Sequence, residues 1–90
     1  MLNIEIIRRK IIAGRYELTQ HAKDEAASDS LDTEDIENIV MTGIVIKKLE
    51  HDPRGVRYII AGAAQNKEEA EVVCRLLPSG KLRIITVYLK

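Results

Sequence analysis

Isoleucines recur at helical spacing near the start of the chain. Ile4, Ile7 and Ile11 fall on one face, and Arg8, Arg9 and Lys10 gather toward the C-terminal end, where cations oppose the helix dipole. The pattern predicts a first helix over about residues 3–13, stopped by Gly14. Arg15-Tyr16-Glu17-Leu18 is too short to read as more than an extended connector. Thr19 is placed to cap a second helix over 20–28, with Ala22 and Ala26 inward. Side chains that small bury little area, so this helix depends on tertiary contacts. Asp32 reads as the cap of a third helix over 33–42, with Glu34 and Asp35 in its first turn. Leu31 is positioned to staple against Ile36, and Ile36, Ile39 and Val40 face inward.

After Gly43 the apolar period changes from helical to extended. Residues 44–51 and 56–63 flank Asp52-Pro53-Arg54-Gly55, which puts Asp, Pro and Gly at the favoured first, second and fourth positions of a type I turn. Two further strands are predicted over 70–77 and 82–89, joined by a turn at Pro78-Ser79-Gly80-Lys81. The expectation is one α+β domain over residues 1–90, its helices packed on one face of a four-stranded antiparallel sheet.

Strand alternation assigns Ala70, Val72, Cys74 and Leu76 to the core face and Glu71, Val73, Arg75 and Leu77 to the other. On the same pattern Arg57 joins Ile59, Arg83 joins Ile85, and Lys47 joins Leu49 on that second face. Cations interleaved with aliphatics suit a contact surface. The arginines could pair with Glu50 and Glu71 across strands. Alternatively, three guanidinium forks on one face could gather phosphate oxygens, whose planar bidentate geometry arginine matches better than lysine.

Composition narrows the classes. Apolar residues make up 46% of the chain and come almost wholly from Ile, Leu, Val and Ala, with no Trp or Phe. Fourteen basic and fourteen acidic residues give a formal net charge of +0, so attraction to a polyanion must come from local segregation of charge. One cysteine excludes an intramolecular disulfide, and the charged start of the chain lacks a secretory apolar region. No apolar run is long enough to suggest a membrane span, and the cytoplasm is the expected compartment.

Among candidate chemical groups, His21 sits at the second position of the second helix, where the positive end of the dipole disfavours imidazolium. It is a general acid or base, or a histidine that simply bonds a backbone carbonyl. Tyr88 near the end of the last strand either packs as an edge residue or presents its hydroxyl beside the arginines. Arg54, exposed in the hairpin turn, is a secondary contact. His21, His51 and Cys74 lack the short spacing of a zinc pair, and no Walker loop, dinucleotide turn or nucleophile elbow is present, so neither metal nor cofactor is expected.

Several of these pieces together resemble a bacterial family called domain of unknown function 4258, over about residues 14–89. They are Tyr16-Glu17-Leu18-Thr19-Gln20-His21-Ala22, the helix end at Gly43 with Ile44-Val45-Ile46, Asp52-Pro53-Arg54-Gly55 with Arg57-Tyr58, and Ile84-Ile85-Thr86-Val87-Tyr88. That family is similar to the RelE and BrnT ribonuclease toxins, and similar proteins are paired with a small zinc-ribbon antitoxin. The resemblance implies a RelE/BrnT-like fold, a toxin–antitoxin role and an RNA substrate, with His21, Arg57, Tyr58 and Tyr88 matching its motifs. One departure is chemical: the family has arginines after the His-Ala step, whereas this chain reads Lys23-Asp24-Glu25-Ala26-Ala27-Ser28-Asp29.

The leading expectation is a metal-independent endoribonuclease that uses the RNA 2′-hydroxyl as nucleophile. His21 or Tyr88 would move protons, and Arg57, Arg75 and Arg83 would hold the phosphate, with Arg54 assisting. The rival expectation is a protein-binding module without catalysis, whose sheet face or edge serves a partner or a homodimer.

Overall fold

The computed structural model describes residues 4–90. The chain runs α1 (Ile4–Ile12), β1 (Tyr16–Leu18), α2 (Gln20–Ser28), α3 (Thr33–Thr42), β2 (Ile44–Leu49), β3 (Arg57–Ala63), β4 (Glu69–Leu76) and β5 (Leu82–Leu89). The three helices appear where the sequence pattern put them, although residue 3 of the expected first helix lies outside the described residues.

The sheet differs from expectation in one strand. It has five strands in the order β1-β5-β4-β3-β2, and it is mixed, because β1 pairs in parallel with β5. The connector is therefore an edge strand, with Tyr16, Glu17 and Leu18 opposite Leu82, Arg83 and Ile84. Three residues carry too little alternation to announce a strand, and their partners lie more than sixty positions away. The second strand is also shorter than expected, ending at Leu49 rather than continuing to His51.

Local chemistry accounts for the helix boundaries. Thr19 caps α2 by accepting the Ala22 N–H on Oγ1 at 3.1 Å. Asp32 caps α3 in a reciprocal box: Asp32 Oδ1 accepts from the Asp35 N–H at 2.8 Å, and Asp35 Oδ2 accepts from the Asp32 N–H at 3.0 Å. The Asp32 amide, and the Gln65 amide donating to Asp35 Oδ1 at 3.0 Å, hold the Asp35 carboxyl below its ordinary range.

The core lies between the helices and one face of the sheet. Ile7 and Ile11 from α1, Ala22 and Ala26 from α2, and Ile36, Ile39 and Val40 from α3 meet Ile60, Ala70, Val72, Cys74, Leu82, Ile84 and Val87. Burial pushes the Cys74 thiol up to about 12, which makes it a packing residue rather than a nucleophile. α3 approaches β3 so closely that a Cβ at Gly62 would stand 2.1 Å from the Ile39 carbonyl oxygen, and one at Gly43 2.5 Å from the same atom. These two glycines let the helix and strand backbones touch, at positions where any side chain would collide with rigid backbone. No helix among the described residues is long and apolar enough to cross a membrane.

Among the described residues no helix packs on the opposite face of the sheet, and the register orders its residues into rungs. The alternation expected for β4 holds, with Ala70, Val72 and Cys74 in the core and Arg75 on the open side.

Candidate functional site

Pairing registers place three arginines on one rung. Arg75 stands opposite Arg83, and Tyr58 stands opposite Cys74, so the next pair along β3 and β4 brings Arg57 beside Arg75. Leu49 continues the rung on β2, and Glu17 closes it on β1. Like charges on neighbouring strands repel, so this row stands only because carboxylates are set against it.

The principal carboxylate is Asp52. The 52–55 turn forms as the sequence predicts, with the Gly55 N–H donating to the Asp52 carbonyl at 3.0 Å. Asp52 Oδ1 accepts the Arg54 N–H at 2.8 Å, which fixes the side chain and aims Oδ2 back over the sheet. There Oδ2 accepts from Arg75 Nη2 at 2.9 Å and lies 2.9 Å from Arg57 Nε. The Arg54 amide first, and the Arg75, Arg57 and Arg54 guanidinium groups after it, hold the Asp52 carboxyl below its ordinary range. Arg83 is held from the other side, its Nε donating to Glu17 Oε2 at 3.1 Å.

Around these groups lies a cleft of about 410 Å³, lined by Thr19, Asp52, Pro53, Arg54, Arg57, Arg75, Arg83 and Ile85. Four arginines and one carboxylate line the cleft, and with Glu17 paired to Arg83 at its margin the local formal excess is two positive charges in a chain with none overall. The Arg75 side chain is 7% exposed, and among the described residues its Nε has no hydrogen-bond partner. Arg57 Nε is in the same state, because its approach to Asp52 is close but poorly aligned. Two buried, charged donors without acceptors are costly to maintain, and an oxyanion in the cleft would satisfy them.

The other expected site residues are dispersed. Arg54 lines the cleft with the row, as the hairpin turn requires. His21 does not line it. Its side chain is 64% exposed on the first turn of α2, two residues beyond the cleft residue Thr19, with Nε2 3.2 Å from Glu25 Oε1. Tyr88 shares the open face but lies five positions along β5 from Arg83, roughly 15 Å at the strand rise. Its hydroxyl donates to the nearly buried Glu71, and that hydrogen bond, with burial, raises its pKa. Glu71 also meets Lys90 at 3.4 Å, and Glu50 meets Lys48 at 3.0 Å, so neither serves the arginines.

Three participants were not singled out in the sequence: Asp52, Glu25 and Glu17. Asp52 was readable as a turn residue, since Asp at the first turn position bonds the N–H two residues on. Its second bond depends on where the sheet lies. Glu25 belongs to the anionic stretch that departs from the resembled family. Together with Asp29 it occupies the edge of β5 beyond the reach of β1, accepting the Val87 N–H at 3.2 Å while Asp29 accepts the Leu89 N–H at 3.1 Å. His21, Glu25 and Asp29 follow at four-residue spacing along one helix face, so the stripe that seals the strand edge also sets a carboxylate behind the imidazole.

A family model described as Domain of unknown function (DUF4258) matches residues 18–89, and the chain belongs to that family. No curated protein and no solved structure matches the chain.

Proposed function

We propose that this member of the family binds the phosphodiester backbone of RNA in the arginine cleft and cleaves it without a metal, as the toxin of a toxin–antitoxin pair. The observation that carries the reading is the pair of buried guanidinium nitrogens, Arg57 Nε and Arg75 Nε, left without acceptors in a cleft with an excess of positive charge. In the reaction, Arg57, Arg75 and Arg83 hold the non-bridging oxygens and stabilise the charge that builds at phosphorus. The 2′-oxygen bonds to phosphorus as the bond to the 5′-oxygen breaks, leaving a 2′,3′-cyclic phosphate and a free 5′-hydroxyl. His21, which stands outside the cleft on the first turn of α2 with Glu25 behind it, is assigned the 2′-hydroxyl proton from RNA that extends past Thr19 out of the cleft, and the leaving oxygen takes its proton from solvent. Tyr88, engaged with Glu71 at the far end of the open face, has no part in this version of the chemistry. Likeness to the RelE and BrnT toxins is part of this proposal, and the general arrangement of helices on one sheet face is compatible with it.

The test is cleavage of a defined single-stranded RNA by purified protein in excess chelator, with the product ends identified. The expected result is 2′,3′-cyclic phosphate ends and a loss of about 10²- to 10⁴-fold in rate on His21→Ala, with RNA binding retained. Cleavage abolished by the chelator, or none at all, refutes the catalytic part.

A second reading has its own observation. β2 is an edge strand, and Ile44 and Ile46 on it are 66% and 49% exposed. An extended segment of a partner, an antitoxin or a second copy, could add to that edge. Co-purification of a partner that is lost on Ile46→Lys, together with no RNA binding, would favour this reading over the first.

A further inference from the structure

Asp52 occupies the place where the cleft's ligand belongs. Its Oδ2 sits 2.9 Å from both Arg75 Nη2 and Arg57 Nε, the position that an oxygen of a bound oxyanion would take. As an occupant it is incomplete. One carboxylate oxygen serves two guanidinium groups, and the Nε atoms of both remain unsatisfied. A phosphate group presents more acceptor oxygens to the same fork, so exchange of Asp52 for phosphate gains hydrogen bonds rather than conserving them.

The turn that carries Asp52 is built to let go. Its own hydrogen bonds are internal: Gly55 N–H to the Asp52 carbonyl and Arg54 N–H to Asp52 Oδ1. Among the described residues, the polar links from positions 51–55 to the sheet are those of the Asp52 carboxylate. His51, Pro53, Arg54 and Gly55 are exposed, so opening uncovers little apolar surface. Phosphate and carboxylate cannot both stand against the arginines, because two anions within a few ångströms repel.

We infer that Asp52 is a resident anion that closes the empty cleft, and that the 52–55 turn swings off the sheet when a phosphate-bearing ligand enters. The inference rests on the phosphate reading and adds its regulation. Binding is then coupled to opening, and the closed fraction lowers the apparent affinity. Neutralising Asp52 removes both the competitor and the repulsion.

The experiment uses the full chain and a 2′-O-methyl oligouridylate, which carries the phosphates but lacks the nucleophile. Backbone 15N relaxation at Arg54 and Gly55 is followed by NMR with and without saturating probe, and probe affinity is measured for the wild type and Asp52→Asn. Because the turn keeps its internal hydrogen bonds when it leaves the sheet, the expected outcome is a fall of both order parameters from about 0.85 to below about 0.6 on binding, and about tenfold tighter binding by the variant. If the probe binds while those order parameters are unchanged or rise, Asp52 is a fixed wall of the site and the inference is overturned, with the phosphate cleft intact. A folded variant that binds no tighter has the same consequence. Absence of binding by either protein overturns the phosphate reading and the inference with it. The relaxation measurement on the wild type decides the question even if the variant folds poorly.

Discussion

Replacing Arg75 by methionine separates a binding role from a structural one. The side chain is 7% exposed, with one hydrogen bond to Asp52 and an orphan Nε. A charge-assisted hydrogen bond contributes roughly 1.5–3 kcal/mol, and a buried unsatisfied donor costs roughly 1–3 kcal/mol. Methionine loses the first and removes the second while filling similar volume, and Asp52 keeps Arg57 as its counter-ion. The two contributions nearly cancel, so Arg75→Met is expected to unfold in urea within about 1 kcal/mol of the wild type. Binding behaves differently, because a lost guanidinium–phosphate contact of about 1.5–3 kcal/mol weakens affinity by roughly ten- to a hundredfold. The assay is paired: urea denaturation followed by circular dichroism, and fluorescence anisotropy with a labelled single-stranded RNA. A variant destabilised by more than about 2 kcal/mol with unaltered RNA affinity would refute the reasoning, since the arginine would then be a fold element.

Other consequences follow from single groups. Burial and a hydrogen bond to Glu37 push the Tyr16 hydroxyl up to about 12. The folded state therefore holds that proton more tightly than the unfolded chain, and its contribution is complete below pH 10 and lost as pH rises toward 12. The loss is at most about 2 kcal/mol after screening, and Tyr16→Phe should flatten that limb of a stability–pH profile measured in urea. Gly62→Ala drives a methyl group into the Ile39 carbonyl oxygen and should destabilise by about 3 kcal/mol or prevent folding, as read by the same denaturation assay. Iodoacetamide should leave Cys74 unmodified in native protein at neutral pH and label it fully in denaturant, as measured by intact mass, because the thiol is buried with its pKa pushed up to about 12.

The helices and their ends were legible because each signal is local. Thr19 and Asp32 cap through the N–H groups of the following turn, and Ile36, Ile39 and Val40 repeat with the helix itself. The open face was legible for the same reason, since alternation along β3, β4 and β5 separates Arg57, Arg75 and Arg83 from the core without knowledge of pairing. The β1 strand was not legible, because three residues acquire strand character only from Leu82–Ile84, contributed by the far end of the chain.

Sequence alone could name the arginines but not count the neighbours of each. Whether three cations on three strands share one rung or are staggered depends on register, and register depends on the turn length, the bulge at Val73/Cys74 and the packing of the other face. Tyr88 shows the limit, since plain alternation from Arg83 would turn it to the core, and only the irregularity between Val73 and Cys74 brings it to the open face. Asp52 shows it again: its bond to the Arg54 N–H two residues on is local chemistry, whereas its hold on Arg57 and Arg75 exists only because the hairpin folds over β4. Local hydrogen bonds and periodicity are encoded within a few residues, but the convergence of charges from separate strands is a property of pairing, which tertiary packing decides.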